Sequence, residues 1–185
     1  MGPNSANALF FLISTLFELY MGALLLRVIL QWVRADFYNP LSQFIWKVTN
    51  PPVLPLRKLV PRWRNLDSAA LLVLLLIAVV YILVLDGLFH LGVPAWIVGW
   101  YALLKCLSLL TQVYFFSLFI QAILSWLGPG VNNPSANILW SMNEPLLRPV
   151  RRYIPLVSGF DLSPLVVMLA LQVVNKLLPL HALLK

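Results

Sequence analysis

The 185-residue chain alternates long apolar runs with shorter connections that are rich in proline and basic residues. Four runs have the length, about 17–25 residues, that crosses a hydrocarbon core of about 30 Å. We therefore predict membrane-spanning helices over about residues 8–32, 68–88, 102–127 and 164–180. Trp96, Trp100 and Tyr101 precede the third run and are typical of an interfacial aromatic belt. We expect Lys105 near the membrane edge, with its ammonium group snorkelling outward.

Composition narrows the class of protein. Hydrophobic residues make up 61% of the chain and charged residues 10%, whereas a typical soluble domain is about 25% charged. This balance excludes a soluble globular domain and an intrinsically disordered chain. The single cysteine excludes a disulfide scaffold.

Positive charge is concentrated in two connections. The net charge is +7, and nine of the thirteen Lys and Arg residues lie within 34–64 and 148–152. The positive-inside rule places both connections in the cytoplasm and both termini outside it. Because these stretches adjoin apolar runs, the nearest phosphates are anionic lipid headgroups, and nucleic acid is not favoured. The candidate headgroup or protein-partner contacts are Arg57, Lys58, Arg148, Arg151 and Arg152.

The chain repeats itself at an offset of 94 residues. Without a gap, this shift relates Tyr20 to Tyr114, Trp32 to Trp126, Trp46 to Trp140, Arg57 to Arg151 and Asp67 to Asp161. We predict two copies of one unit, 1–93 and 94–185, each a span, a cytoplasmic connection and a second span. Copies that cross twice share one orientation, so a pseudo-two-fold axis along the membrane normal would relate them. The predicted fold is an all-α membrane protein with four transmembrane helices, packed as a bundle.

Each connection begins with the pattern of an amphipathic helix. Asn39 precedes Pro40, which is a favoured pairing of cap and first helical residue. Asn133 and Pro134 repeat this pairing in the second copy. We predict short amphipathic helices that lie in the inner membrane interface. The apolar stripe of the first one consists of Leu41, Phe44, Ile45 and Val48.

A basic, proline-flanked stretch follows each of these helices, over 51–61 and 145–155. Because proline ends helices and restricts its neighbours, we expect one helical turn between rigid kinks. Asp67 and Asp161 are placed to cap the returning spans.

Polar side chains inside the apolar runs form the candidate site. Glu18 lies near the middle of the first span, where an isolated charge costs at least about 2.5–3.5 kcal/mol. Counting depth from the cytoplasmic side predicts that Glu18 contacts Lys176 or Asn175. A second face of polar residues, with Arg27 on the first span and Gln121 on the third, has two interpretations. We favour hydrogen-bonded glue between helices over a polar pathway. The candidate intramembrane cluster is Glu18, Arg27, Gln31, Gln112, Gln121, Asn175 and Lys176.

Catalytic chemistry is not indicated. The sequence holds two histidines, His90 and His181, one cysteine, Cys106, and no metal-ligand spacing. It lacks the motifs of nucleotide-binding loops and of serine hydrolases. We therefore predict no enzyme activity, no metal and no cofactor.

The repeated residues resemble the repeat of the YggT family of small bacterial integral membrane proteins. The matching segments are Arg27, Gln31-Trp32, residues 36–40, the basic stretch to Pro61 and Asp67-Ser68, with Ser125-Trp126, Asn133-Pro134, residues 144–152, Pro155 and residues 161–164 in the second copy. The second copy departs from the first at Gln121, which stands where the first has Arg27. The resemblance implies a location in the bacterial inner membrane and supplies no set of catalytic or ligand-binding residues. It also implies an association with osmotic or extracytoplasmic stress tolerance and cation homeostasis, and plastid relatives are associated with cytochrome maturation and organelle partitioning.

Two functions follow as hypotheses. The first is a non-enzymatic membrane scaffold, or assembly or stress-response factor, that presents its cytoplasmic connections to a protein partner. The alternative is a small channel or transporter-like protein for cations, with Glu18 and Arg27 on its path. The first is favoured because the repeated pattern is concentrated in the connections, and prolines do not break the spans at their midpoint. A homo-oligomer is left open.

Overall fold

The computed structural model describes residues 3–36, 38–60, 66–126, 134–154 and 161–180. Over these residues every secondary-structure element is a helix. The helices are α1 (Pro3–Trp32), α2 (Pro40–Leu56), α3 (Ser68–Phe89), α4 (Val98–Trp126), α5 (Pro134–Arg151) and α6 (Ser163–Leu177). A turn of 3₁₀-helix, Ala95–Ile97, leads into α4. The predicted all-α class is confirmed.

Three of the helices have the length and apolar composition needed to cross a membrane. These segments are Asn4–Trp32, Ser68–Phe89 and Ala95–Ser125. The fourth candidate, α6, has 15 residues and rises about 22 Å, which falls short of a hydrocarbon core of about 30 Å. The fourth span therefore stays a prediction.

The order of the helices repeats, with α1, α2 and α3 followed by α4, α5 and α6 at nearly the predicted offset. The packing of the two repeats is not equivalent, however. In each repeat the first helix packs against the third, while α3 also packs against α4 of the other repeat. α6 packs against α4 and α5 and, among the described residues, makes no comparable contact with α1. The bundle is therefore built around α1, α3 and α4.

Small side chains allow this close approach. Ala70 and Ala78 of α3 and Ala102 of α4 are fully buried beside the large side chains of Met21 and Leu24 on α1. Small residues at helix interfaces let backbones approach and gain van der Waals contact, which replaces the hydrophobic driving force within lipid. α1, α3 and α4 therefore form one apolar core.

The predicted caps are present in part. Asn39 Oδ1 accepts from the Leu41 amide over 2.9 Å, and Asp67 Oδ1 accepts from the Ala70 amide over 3.3 Å. Asp161 accepts from the Ser163 amide over 2.9 Å, but Leu162 is the residue at the cap position of α6. The cap predicted at Asn133 lies outside the described residues.

The proline-flanked stretches differ from the prediction. α2 continues through Pro51, Pro52 and Pro55, and α5 continues through Pro145 and Pro149. The prediction of a separate turn between kinks is therefore wrong. The fixed φ of proline, near −65°, is compatible with a helix, and only the lost N–H bond and crowding of the preceding turn oppose it.

The apolar stripe of α2 is not its buried face. The buried side chains are Ser42, Ile45, Thr49 and Val53. Of the predicted stripe, Ile45 is buried, whereas Phe44 is 64% exposed. α2 therefore turns a mixed face of two polar and two apolar side chains toward the rest of the protein, and most of its apolar stripe lies outside the core.

Candidate functional site

A polar cluster in the first repeat joins α1 to both ends of its connection. Arg27 of α1 is fully buried and donates to Thr49 Oγ1 over 2.8 Å and to Asn50 Oδ1 over 3.0 Å. Its Nε also lies 3.3 Å from the carboxylate of Asp67, directly before α3. Arg57, at the end of α2, forms a second ion pair with Asp67. One buried carboxylate thus holds two guanidinium groups from α1 and the end of α2.

An aromatic ring completes this first cluster. The guanidinium carbon of Arg27 lies 4.1 Å from the ring centroid of Trp46, and that of Arg57 lies 5.2 Å from the same ring. Both distances fall in the range of a cation–π interaction, which is stronger where water is excluded. Burial acts to raise the pKa of the Asp67 carboxyl, but the hydrogen bond and charge of Arg57 and the charge of Arg27 outweigh it and hold the pKa below its usual value.

The second repeat builds the equivalent cluster with other residue types. Gln121, the counterpart of Arg27, accepts from Asn143 Nδ2 over 2.7 Å, and Ser117 donates to Asn143 Oδ1 over 2.9 Å. Asn143 is the counterpart of Thr49 at the offset of 94. The buried contact between the first two helices of the unit is therefore retained, but it is neutral.

The ion pairs of the second repeat are more exposed than the pair of Arg27 with Asp67. Arg151 donates to Asp161 over 2.8 Å and to Glu144 over 3.0 Å. Burial acts to raise the pKa of Asp161, but its hydrogen bonds from Ser163 and Arg151 outweigh burial and lower the pKa. The first cluster therefore has two cations on one carboxylate, and the second has one cation between two carboxylates.

An ion pair inside the apolar core joins the two repeats. Lys105 of α4 donates to Glu18 of α1 over 2.6 Å. The Lys105 side chain is 0% exposed and that of Glu18 is 32% exposed. Tyr81 of α3 stands beside this pair, with its ring centroid 5.2 Å from the ammonium group and its hydroxyl 3.3 Å from Ser14. Three helices thus meet at one charge pair.

This pair corrects two predictions. Lys105 does not snorkel outward, because its helical segment begins at Ala95 rather than at residue 102 and places Lys105 well inside the helix. The predicted contact of Glu18 with Asn175 or Lys176 is also wrong. Asn175 donates instead to Thr111 over 2.6 Å and to Ser108 over 3.2 Å, which ties α6 to α4. Lys176 lies exposed on α6.

The remaining candidate residues lie apart from these clusters. Gln31 and Gln112 are half-buried, and Gln112 lies 3.5 Å from Ser108 Oγ on its own helix. Lys58, Arg148 and Arg152 are exposed, whereas Arg57 and Arg151 are half-buried in their ion pairs. Sequence reasoning missed Thr49, Asn50 and Asn143. The signal that points to Thr49 and Asn143 is a polar residue at the same position of the connecting helix in both repeats, at the edge of its apolar stripe.

The described residues do not bring together three His, Cys, Asp or Glu side chains as a metal site would need. Cys106 carries a half-buried free thiol. The polar clusters fix helices against one another, and no arrangement of nucleophile and base is found among the described residues.

Three long apolar helices, with buried charges paired between them, indicate an all-helical, membrane-associated protein. The chain belongs to the CCB3/YggT family, which it matches twice, over residues 6–88 and 100–183. The two matches correspond to the two repeats.

Relatives of known source match nearly the full length. The uncharacterised protein YggT of Escherichia coli strain K12 is 43% identical over 169 residues, which is 91% of this chain and 88% of that protein. An uncharacterised protein of Pseudomonas aeruginosa is 42% identical over 179 residues, 96% of this chain and 90% of that protein. No solved structure is significantly similar to the chain.

Proposed function

We propose that this protein is a non-enzymatic scaffold of the bacterial inner membrane that presents two cytoplasmic arms to a protein partner. The arms are α2 and α5. The observation that supports this function is the polar cluster at the base of each arm, where Arg27 holds α2 and Gln121 holds α5. Each arm is thereby fixed to a membrane helix by side-chain hydrogen bonds, as a rigid docking surface requires.

The state of the buried charges disfavours the alternative of a cation conduit. An ion path needs polar groups that face water or the ion. Here Lys105 is fully buried and bonded to Glu18, and Arg27 is fully buried and bonded to Thr49 and to Asp67. Glu18 is 32% exposed and faces an open groove between α1 and α4, but its carboxylate is already paired with Lys105. These charges stabilise contacts between helices, which supports a structural role over an ion path.

Charge supports the orientation that the scaffold needs. Lys58, Arg148 and Arg152 are exposed near the ends of the arms. From the positive-inside rule we expect the arms in the cytoplasm and both termini outside it. The same cations would hold the arms against anionic headgroups. A role in stress response would then follow from the partner that the arms assemble.

Ion flux separates the two functions. The full-length protein is reconstituted into liposomes loaded with a potassium-sensitive dye, and the variant Glu18→Gln is measured beside it. A scaffold gives flux equal to that of empty liposomes for both proteins. Potassium flux that depends on Glu18 would overturn the scaffold.

Site-specific crosslinking in cells tests the arms themselves. A photo-crosslinking residue replaces Tyr38 before α2 or Tyr153 after α5, which are 88% and 87% exposed. The matched control replaces Trp96, which is 83% exposed and lies at the opposite end of the bundle. We expect one and the same protein adduct from both tyrosine positions and not from Trp96. Identical adducts from all three positions would contradict a docking surface on the arms.

A further inference from the structure

A long apolar groove runs between α1 and α4, the first helices of the two repeats. Its volume is about 520 Å³, within the range of about 300–1,000 Å³ that is usual for ligand sites. Thr15, Leu19 and Gly22 line it from α1, and their counterparts at the offset of 94, Leu109, Val113 and Phe116, line it from α4. The groove therefore lies where the repeats face each other, and the first parts of α2 and α5 close one end.

A second cavity lies next to this groove along α1 and α5, toward the basic end of α5. It has a volume of about 490 Å³ and is lined by Trp32, Val33, Pro145 and Arg148, among others. Val33 lies three residues after Leu30 of the groove, and Pro145 three residues after Met142, so both cavities follow the same helix faces. The apolar groove therefore has, as its neighbour along the same helix faces, a mouth that holds a guanidinium group.

The charges at this mouth favour an anion. Glu144 also lines the cavity, but its carboxylate is bonded to Arg151 over 3.0 Å. Arg148 is exposed and has no carboxylate partner in the described part of the chain. Trp32 stands beside it, in the position of an aromatic residue at a membrane interface.

We propose that the two cavities together bind one anionic phospholipid, with an acyl chain in the groove between α1 and α4 and the phosphate at Arg148. Its headgroup would lie on the same side as the arms. The site binds a lipid that is retained in one place, in contrast to the exchanging lipids around the rest of the bundle.

The lining and the charge favour a phospholipid over a protein helix. From Thr15 to Leu30 the groove extends over 15 helical steps, about 22 Å, and most of the side chains that line it are apolar. The second cavity adds the exposed guanidinium group of Arg148. An anionic phospholipid supplies both an acyl chain for the groove and a phosphate for Arg148, whereas an apolar helix of a second copy or of a partner supplies no anion.

Native mass spectrometry of the detergent-solubilised full-length protein tests the site. The protein is mixed with equal amounts of phosphatidylglycerol and phosphatidylcholine that carry the same acyl chains. We expect one retained phosphatidylglycerol per chain. Retention of both lipids in equal amounts, or a protein dimer in place of a lipid adduct, would overturn the proposal.

Paired variants locate the two ends of the ligand. Gly22→Phe fills the groove, since a side chain at Gly22 meets nothing within 4 Å, and Gly87→Phe on α3 is the matched control with the same open surroundings. Arg148→Gln removes the headgroup contact, and Lys47→Gln, which removes an exposed cation of α2 outside the cavity, is its control. We expect Gly22→Phe to abolish lipid retention and Arg148→Gln to weaken phosphatidylglycerol binding about fivefold, as the loss of one basic residue near an anionic surface predicts.

The controls keep the result decisive. Gly87→Phe and Lys47→Gln should retain the lipid as the unchanged protein does. If Gly22→Phe fails to fold, the smaller Gly22→Leu takes its place and should reduce retention in the same direction. Unchanged retention in a folded Gly22 variant, or unchanged preference for phosphatidylglycerol in Arg148→Gln, would contradict the site.

Discussion

Lys105 of α4 and Glu18 of α1 form an ion pair of 2.6 Å that links one repeat to the other. The repeat pattern does not generate this pair. The counterpart of Glu18 is Gln112, and the counterpart of Lys105 is Phe11, so the second repeat lacks the carboxylate and the first lacks the ammonium. The pair is therefore formed once, between the two copies. The first copy supplies its carboxylate and the second copy supplies its ammonium group.

Breaking this pair at one end should destabilise the bundle more than removing both ends. Lys105→Met leaves the carboxylate of Glu18 without its cation, at a cost of about 3 kcal/mol in the free energy of unfolding. The double variant Lys105→Met with Glu18→Leu should recover most of this loss, because an apolar pair of similar volume replaces the charges. Unfolding in mixed micelles measures each variant, with Lys47→Met on the exposed face of α2 as control. If the double variant lost as much free energy of unfolding as Lys105→Met and Glu18→Leu lose in sum, the two residues would not be coupled.

The polar cluster that holds α2 should contribute more to the free energy of unfolding than the cluster that holds α5. Arg27→Ala removes a buried cation with three hydrogen bonds and leaves Asp67 with Arg57 as its one cation in the described part of the chain, so we expect a loss of about 3–5 kcal/mol. Gln121→Ala at the equivalent position removes one neutral contact, with an expected loss of about 1–3 kcal/mol. The same unfolding measurement compares them, and the second repeat serves as the matched control for the first. Equal losses would refute the assigned roles.

The loss of stability at low pH should be caused by protonation of two aspartates, Asp67 and Asp161. Asp67 and Asp161 have pKa values below their usual 3.8 in the folded protein, so the native state binds fewer protons than the unfolded chain. Their stabilisation is fully present above about pH 4 and is lost as the pH falls through the lowered pKa values.

Asp67→Asn and Asp161→Asn should therefore lower stability at neutral pH and flatten its decline in acid. Unfolding measured from about pH 6 to about pH 3 checks this, with Asp36→Asn, which lies outside both clusters, as the control. The double variant Asp67→Asn with Asp161→Asn decides the matter. If its free energy of unfolding fell as steeply in acid as that of the unchanged protein, the two aspartates would not cause the decline.

Periodic features were accessible from the sequence. The apolar runs and the cap at Asn39 depend on residues close together in the chain, and the offset of 94 is found by comparing the sequence with itself. The helices and the cap follow these features. The resemblance to the YggT family rests on the same repeated residues and is confirmed by the two matched segments.

Contacts between distant helices were not accessible. Glu18 and Lys105 are 87 residues apart, and depth counting could not decide among the cations on facing helices. The prolines of α2 and α5 led to a wrong prediction because proline only disfavours a helix. Tertiary contacts, such as that of Arg27 with Thr49, can outweigh this local preference.

The second repeat keeps the acceptors that an arginine at position 121 would need. Asn143, Glu144 and Asp161 stand where Thr49, Asn50 and Asp67 contact Arg27. Gln121→Arg should therefore cost about 1–3 kcal/mol, the range expected for overpacking a buried position, rather than the larger cost of an unpaired buried charge.

Adding Asn143→Thr should recover part of that loss, because threonine is the smaller residue that the first repeat uses beside its arginine. The reverse substitution, Arg27→Gln, should be the more destabilising of the two, since it leaves Asp67 buried with one cation fewer. Free energies of unfolding for the three variants test this order. If Gln121→Arg proved as destabilising as Arg27→Gln, the two clusters would not be equivalent sites, and the arms would be held by unrelated contacts.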